Sequence, residues 1–139
     1  FLLMRSMRTF EMRVLQQSRN ATEIMKFLNE NKGAYDKVIR ELHHSSLQTE
    51  PFVAKQLAGG QPPVFSVCLM SQEQCKQFVS KLHYFQHATS LGGVESLVEW
   101  RAMSDDTIDQ TLIRFSIGCE NVADLIADVK QALDALQNA

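Results

Sequence analysis

The strongest constraint on the fold of this chain is a short alternating segment at residues 111–117. Ile113, Phe115 and Ile117 fall on one face of an extended chain, and Arg114 falls on the other. This alternation predicts a β-strand. The charge of Arg114 must be solvated, paired with an acid, or directed into a cleft that receives an anion. Because a guanidinium fits a carboxylate through two parallel hydrogen bonds, an amino acid or keto acid is a natural ligand.

Helical and extended patterns alternate along the rest of the chain. Apolar residues from Leu3 to Leu28 follow a four-three spacing that only Gln17 interrupts, which predicts one long amphipathic helix ending near Gly33. The other predicted elements are strands at 37–42 and 64–69, extended structure at 84–100, and helices at 52–58, after Ser71 and after Asn121. The prediction is an α/β chain, α+β in its local arrangement. It has a long N-terminal helix and a small, mostly antiparallel sheet of about four strands, with helices packed on one face.

Length, composition and charge describe an ordinary globular domain. The 139 residues suit one domain, and 45% are hydrophobic while 22% are charged. A net charge of −2 gives no electrostatic reason to expect nucleic acid or an anionic membrane surface as a partner. The apolar run at residues 64–70 is too short to span a bilayer. We therefore expect no nucleic-acid partner and no membrane partner.

The three cysteines show neither metal-ligand nor redox spacing. Cys68 lies in an apolar strand and Cys75 on the apolar stripe of a helix, so both are predicted to be buried free thiols. Free thiols favour a reducing compartment, and the expected location is cytoplasmic.

The histidines give no clear metal site. The adjacent pair at His43 and His44 could supply ligands, but an exposed loop explains this pair more simply. No Ser/His/Asp arrangement can be argued either. The sequence therefore predicts no bound metal and no catalytic residue within this chain.

Two segments together resemble a family signature. Residues 90–97 read Ser-Leu-Gly-Gly-Val-Glu-Ser-Leu, and residues 112–118 read Leu-Ile-Arg-Phe-Ser-Ile-Gly. They resemble the signature of the small C-terminal domain of the pyridoxal-phosphate enzymes of cysteine and methionine metabolism, the cystathionine γ-synthase family. Four weaker matches lie in the family's order at residues 2–13, Asn20-Ala21, Phe27-Leu28 and 121–128. Each match is weak alone, but the ordered set is specific.

The resemblance implies a domain organisation. Residues 1–139 would form the single C-terminal small domain of a longer enzyme, with 1–33 as a linker helix and 34–139 as a sheet-and-helix body. The family holds its pyridoxal 5′-phosphate through a lysine in a Ser-x-Thr-Lys motif of the large domain, and this sequence has no such motif. We therefore expect a piece of a longer protein, inactive alone and partnered with that large domain. The family's enzymes are typically homotetramers.

The resemblance also assigns substrate binding to four residues. Arg114 would bind the α-carboxylate of the amino-acid substrate, because the family's carboxylate-binding arginine stands in the same sequence string. Ser90 and the backbone of Leu91 would line the pocket near the cofactor lysine. Many cystathionine-handling relatives carry an acid at the position of Thr89, and threonine cannot supply that charge. The threonine at position 89 therefore weakens the case for cystathionine as the substrate.

The expected function of the parent protein follows from this resemblance. Residues 87–101 most resemble fungal-type cystathionine γ-synthases, which implies a γ-replacement on an activated homoserine with cysteine. A cystathionine lyase, an O-acetylhomoserine sulfhydrylase and a methionine γ-lyase are the alternatives. An alternative of another class is a non-catalytic assembly or binding module. A Ser-x-Thr-Lys motif in the reading frame before Phe1 would favour the enzyme.

Overall fold

The structure, a computed structural model that describes residues 1–139, contains five α-helices and five β-strands. The helices are α1 (Leu2–Met7), α2 (Phe10–Asn31), α3 (Pro51–Gln56), α4 (Gln72–Lys81) and α5 (Val122–Gln137). The strands are β1 (Ile39–His43), β2 (Val64–Leu69), β3 (Gln86–His87), β4 (Leu97–Trp100) and β5 (Leu112–Ser116). None of the helices combines the length and apolar character needed to cross a membrane.

The strands form one mixed sheet in the order β1-β2-β5-β4-β3. The pairs β1–β2, β2–β5 and β5–β4 are antiparallel, and only the β3–β4 pair is parallel. The predicted α/β class, with its mostly antiparallel sheet and its helices on one face, is confirmed. The sheet has five strands where about four were predicted. The additional strand, β3, has only two residues, which is too short to show an alternating pattern.

Cross-strand pairing sorts the sheet residues into an apolar and a polar face. Residues directly opposed across an antiparallel pair share a face. One row of opposed residues across β1, β2, β5 and β4 consists of Leu42, Val67, Ile113 and Trp100. The neighbouring row consists of His43, Ser66, Arg114 and Glu99. The apolar row faces the core, and the sheet therefore has a second face that carries charged and hydroxyl side chains.

Phe115 of β5 lies at the centre of the core. Its ring stacks on Phe65 at a centroid distance of 5.0 Å. Its other ring contacts are edge-on, with Phe78 of α4 at 6.1 Å and with Phe85 at 5.5 Å. Ile113 and Ile117 on the same face are also fully buried, as the alternation in this segment predicted.

The N-terminal helix differs from the prediction in two details. The chain turns at Arg8 and Thr9, which divides the predicted single helix into α1 and the long α2. At the other end, α2 ends at Asn31 and continues as a 3₁₀ turn at Lys32–Tyr35 that contains Gly33. The apolar periodicity continues through the turn at Arg8 and Thr9 because apolar spacing shows which side of a helix is apolar, and not whether each backbone hydrogen bond forms.

The helix caps agree with the sequence. The side chain of Asn121 accepts a hydrogen bond from the Ala123 amide at the start of α5. The Ser71 hydroxyl accepts one from the Gln74 amide at the start of α4. The side-chain amide of Gln74 instead donates to the Lys37 carbonyl at 2.8 Å, so only half of the predicted capping box forms.

Removing the Phe115 ring should strongly destabilise the chain. Phe115→Ala deletes three aromatic contacts from a fully buried site, and we expect the free energy of unfolding to fall by about 3–5 kcal/mol. The matched control is Phe52→Ala on α3, where the side chain is 56% exposed and the change should stay within about 0.5 kcal/mol. Urea denaturation of both variants measures the difference. Equal losses would contradict this description of the core.

Candidate functional site

Arg114 lies on the polar face of the sheet, between β4 and β2. Its Nη2 lies 2.9 Å from the Oε2 of Glu99, its directly opposed neighbour on β4. The same nitrogen donates to the carbonyls of Thr89 at 2.8 Å and Ser90 at 2.9 Å. The side chain is 15% exposed, and its Nε is buried without a partner. The guanidinium is thus held at one end and retains unused donors.

Glu99 is the buried anion of this site. Its Oε1 accepts a hydrogen bond from the Ser104 hydroxyl at 2.6 Å, and its Oε2 accepts one from Arg101 at 3.0 Å and forms an ion pair with Arg114. Burial by itself raises the pKa of Glu99, but the hydrogen bonds from Ser104 and Arg101 and the charge of Arg114 lower it overall. One buried carboxylate is therefore shared by two guanidinium groups, those of Arg101 and Arg114.

The loop at residues 88–96 crosses above Arg114 and is fixed at its midpoint. The Gly92 amide donates to the Ser116 hydroxyl at 2.9 Å. Gly92 has a φ of +79°, a conformation that side-chain-bearing residues rarely adopt, which explains a glycine here. Ser116 and Arg114 are two residues apart on β5 and therefore point to the same face. One strand thus holds the loop at two points.

Gln17 of α2 holds the same loop from the opposite side. Its side-chain amide donates to the Gly92 carbonyl at 3.2 Å and to the Gly93 carbonyl at 2.5 Å. Gln17 is buried and is the one polar residue on the apolar stripe of the predicted N-terminal helix. The sequence shows Gln17 as an interruption of this stripe but predicts no role for it. A polar side chain on an otherwise apolar stripe is the signal that could have identified it, because buried polar groups need partners.

The base of the loop is fixed by a buried hydrogen-bond cluster. The carboxylate of Glu120 accepts from the amide of Ser96 at 2.6 Å and from its hydroxyl at 2.8 Å. The Ser96 hydroxyl in turn accepts from the Gly118 amide at 2.9 Å. A Cβ on Gly118 would lie 2.2 Å from the Val94 carbonyl oxygen, so only glycine fits there. The chain after β5 is thereby fastened to the start of β4.

The structure brings together all four residues predicted to bind substrate. Thr89 and Ser90 meet Arg114 through their backbone carbonyls, while their side chains stay on the exposed surface of the loop. Leu91 follows with its side chain largely exposed. The prediction did not include Glu99, Gln17 or Ser116. For Glu99, the available signal was its position inside the short apolar strand 97–100, since a charge in such a strand is rarely left unpaired.

Replacing Gln17 should loosen the loop at its midpoint. Gln17→Leu keeps a similar volume but leaves two loop carbonyls without their donor, and we expect amide exchange at residues 92–94 to accelerate by about tenfold or more. Gln77→Leu, on the exposed face of α4, is the matched control and should leave the loop unchanged. Hydrogen–deuterium exchange followed by mass spectrometry measures both. Unchanged protection of the loop in Gln17→Leu would refute this role.

Replacing Glu99 should cost stability in a pH-dependent manner. Because the pKa of Glu99 is lowered in the folded chain, its contribution is complete above the unfolded value and is lost as pH falls through the folded value. At pH 7, Glu99→Gln should lower the free energy of unfolding by about 3 kcal/mol. The deficit relative to the wild type should shrink below about pH 4. Denaturant titrations between pH 7 and pH 3 measure this deficit. A deficit independent of pH, or one shared by the exposed control Glu30→Gln, would contradict the prediction.

Comparisons with known proteins agree on one family. The model of the Cys/Met metabolism PLP-dependent enzymes matches residues 1–134. The cystathionine β-lyase of Lactococcus lactis is 32% identical over 147 residues, which covers 96% of this chain and 37% of that protein. The chain therefore spans little more than a third of that relative's length.

Two solved structures have the same fold over nearly the whole chain. A methionine γ-lyase from Micromonospora echinospora matches with a TM-score of 0.82 and 27% identity, over 96% of this chain and 38% of that one. A protein from Campylobacter jejuni, assigned as an O-acetylhomoserine (thiol)-lyase and containing a pyridoxyl-lysine phosphate, matches with a TM-score of 0.76 and 26% identity, over 96% and 31%. On this evidence, the chain belongs to the PLP-dependent enzymes of cysteine and methionine metabolism.

Proposed function

We propose that this chain is the C-terminal substrate-binding domain of a PLP-dependent transsulfuration enzyme, with Arg114 as the residue that binds the substrate's α-carboxylate. The observation that carries the proposal is the incomplete hydrogen bonding of the Arg114 guanidinium. All three polar contacts use Nη2, and the buried Nε has no acceptor. An unsatisfied buried donor is unfavourable, so a carboxylate that enters beside the loop would complete the site.

The local charge supports an anionic ligand. Arg101 and Arg114 share the single carboxylate of Glu99, and Arg101 has a second, more distant acid in Asp105 at 3.9 Å. Arg114 contacts no other carboxylate. Because Arg114 shares Glu99 with Arg101, whereas Asp105 lies beside Arg101 only, Arg114 can accept a substrate carboxylate as a second partner.

The residues around Arg114 fit the substrate and not the attachment of the cofactor. The side chains that contact it and its loop are those of Glu99, Ser116, Gln17 and Glu120, and none is a lysine that could bind the cofactor covalently. Pyridoxal phosphate supplies an electron sink that stabilises negative charge at the substrate's α-carbon. We assign its binding to the remainder of a longer protein, and the role of this chain is to hold and orient the amino acid.

The N-terminal segment supports contact with such a further domain. Large apolar side chains are exposed along α1 and the first turns of α2: Phe1, Leu2, Leu3, Met4, Met7, Phe10 and Met12. An apolar surface of this kind is typical of an interface. We propose that residues 1–33 link the large cofactor domain to the body at 34–139, and that the whole enzyme is a homotetramer.

The proposed reaction is γ-replacement on an activated homoserine with cysteine, as in a cystathionine γ-synthase. The exposed Thr89 favours two of the alternatives, because an uncharged side chain at this point of the loop offers no partner to the distal ammonium of cystathionine. An O-acetylhomoserine sulfhydrylase or a methionine γ-lyase has no such ammonium to recognise. Assays of the whole enzyme with cysteine, sulfide and methionine discriminate these reactions, and the absence of every activity would favour the non-catalytic assembly module.

Replacing Arg114 should weaken substrate binding and spare the cofactor. In the whole enzyme, Arg114→Ala should raise KM for the amino-acid substrate by about 30-fold to several-thousand-fold, because a charge-assisted contact of about 2–5 kcal/mol is lost. Arg114→Lys should restore only part of the affinity, since an ammonium lacks the planar fork. The effect of Ser90→Ala should be smaller. Steady-state kinetics and the absorbance of bound pyridoxal phosphate measure the two effects.

The control for this experiment is Arg101→Ala. It removes the other cation from Glu99 but leaves the contacts of Arg114 with Thr89 and Ser90 in place. Its KM should stay within a few-fold of the wild-type value. The assignment fails if Arg114→Ala leaves KM unchanged, releases the cofactor, or gives the same result as Arg101→Ala.

A further inference from the structure

We propose that Glu41, His43 and Cys68 form a Zn²⁺ site on the polar face of the sheet. Glu41 and His43 are two residues apart on β1, so both side chains point to the same face. Glu41 is directly opposed to Cys68 on β2, and His43 to Ser66. Two adjacent strands thus present a carboxylate, an imidazole and a thiol on one side of the sheet, a ligand set that zinc accepts.

Two of the three distances between ligand atoms are close to those of tetrahedral zinc coordination. The His43 Nε2 lies 3.2 Å from the Glu41 Oε2 and 3.7 Å from the Cys68 Sγ, and the three ligand atoms all lie within 4.8 Å of one another. Bond lengths of about 2.0–2.1 Å to nitrogen and oxygen and about 2.3 Å to sulfur give tetrahedral edges of about 3.3–3.6 Å. Small side-chain rotations would therefore suffice to bind the ion.

A β-bulge sets this arrangement. The pairing register of β1 with β2 shifts between Ile39 and Glu41, which leaves Arg40 as the extra residue. A one-residue shift moves every following side chain to the opposite face, so the bulge is what directs Glu41 and His43 to the face of Cys68. The Arg40 guanidinium forms an ion pair with Asp109 at the same edge of the sheet.

The charges of the site balance those of a divalent ion. The Glu41 carboxylate and a Cys68 thiolate neutralise Zn²⁺. Arg40 pairs with Asp109 and also lies 3.8 Å from Glu41, so zinc would replace Arg40 as the partner of this carboxylate. Zinc binds the thiolate form of cysteine, so binding must release the proton of the Cys68 thiol. A thiolate ligand also selects against Mg²⁺ and Ca²⁺, which prefer oxygen.

The position of the site indicates what the ion would do. Its ligands lie on the edge strand β1 and on β2, so bound zinc would stabilise the pairing of β1 with β2, its only neighbour in the sheet. Across the sheet, His43 is opposed to Ser66 and Ser66 to Arg114, which separates the ion from Arg114 by two strand spacings, or about 10 Å. The side chains of Glu41 and His43 are each 53% exposed, which leaves the fourth coordination position open to an external ligand.

Zinc titration of the chain tests the proposal. Isothermal titration calorimetry with ZnCl₂ in buffers of different ionisation enthalpy should give one ion per chain and the release of about one proton. His43→Ala and Glu41→Gln should each weaken binding by roughly tenfold or more, and Cys68→Ser should abolish proton release. Because Glu41 and His43 are exposed, these two variants remain informative even if Cys68→Ser does not fold.

The controls are a cysteine and a histidine outside the site. Cys119→Ser and His83→Ala should bind zinc as the wild type does, because neither residue belongs to the cluster. With Co²⁺ in place of zinc, a sulfur-to-cobalt charge-transfer band should appear in the wild type and in both controls. The proposal is overturned if zinc does not bind, if His43→Ala and Glu41→Gln bind it unchanged, or if Cys119→Ser removes the cobalt band.

Discussion

The ion pair between Arg114 and the buried Glu99 is the interaction on which the candidate site depends. A carboxylate that is only 1% exposed is stable there because Arg101 and the Ser104 hydroxyl donate hydrogen bonds to it and Arg114 forms an ion pair with it. In return it fixes Arg114 at the middle of the sheet, with the Nη2 atom oriented toward two loop carbonyls. The rest of the guanidinium is free to bind a ligand. A structural ion pair and a substrate-binding role are therefore compatible in one arginine.

The loop above Arg114 is held by residues from distant parts of the chain. Gln17 supports it from α2, Ser116 from β5, and Glu120 from the turn that leads into α5. Since α2 belongs to the segment proposed to lead from the cofactor domain, its position and that of the loop are mechanically connected. We expect movements of this helix in a whole enzyme to be transmitted to the loop that contacts Arg114.

The polar face of the sheet carries two separate clusters. On β4 and β5 the charges converge on Arg114, and on β1 and β2 they converge on His43, with Ser66 between them. The core around Phe115 packs on the apolar face, so the core and the two charged clusters lie on opposite faces of one sheet. This division follows from the alternation of side chains along each strand, because successive residues point to the apolar face and to the polar face in turn.

The sequence by itself determined the elements whose patterns are local. The alternation around Phe115 fixed β5 and its buried face, the capping asparagine at position 121 fixed the start of α5, and the string around Arg114 identified the arginine as a ligand candidate. Only the tertiary structure decided that Glu99 pairs with this arginine and that Gln17 holds a loop 75 residues away. The physical reason is that residues two to four apart show helix and strand periodicity directly. Contacts between distant segments, by contrast, depend on which strands pair and how the helices pack against them, and the spacing of residues within one segment does not show this.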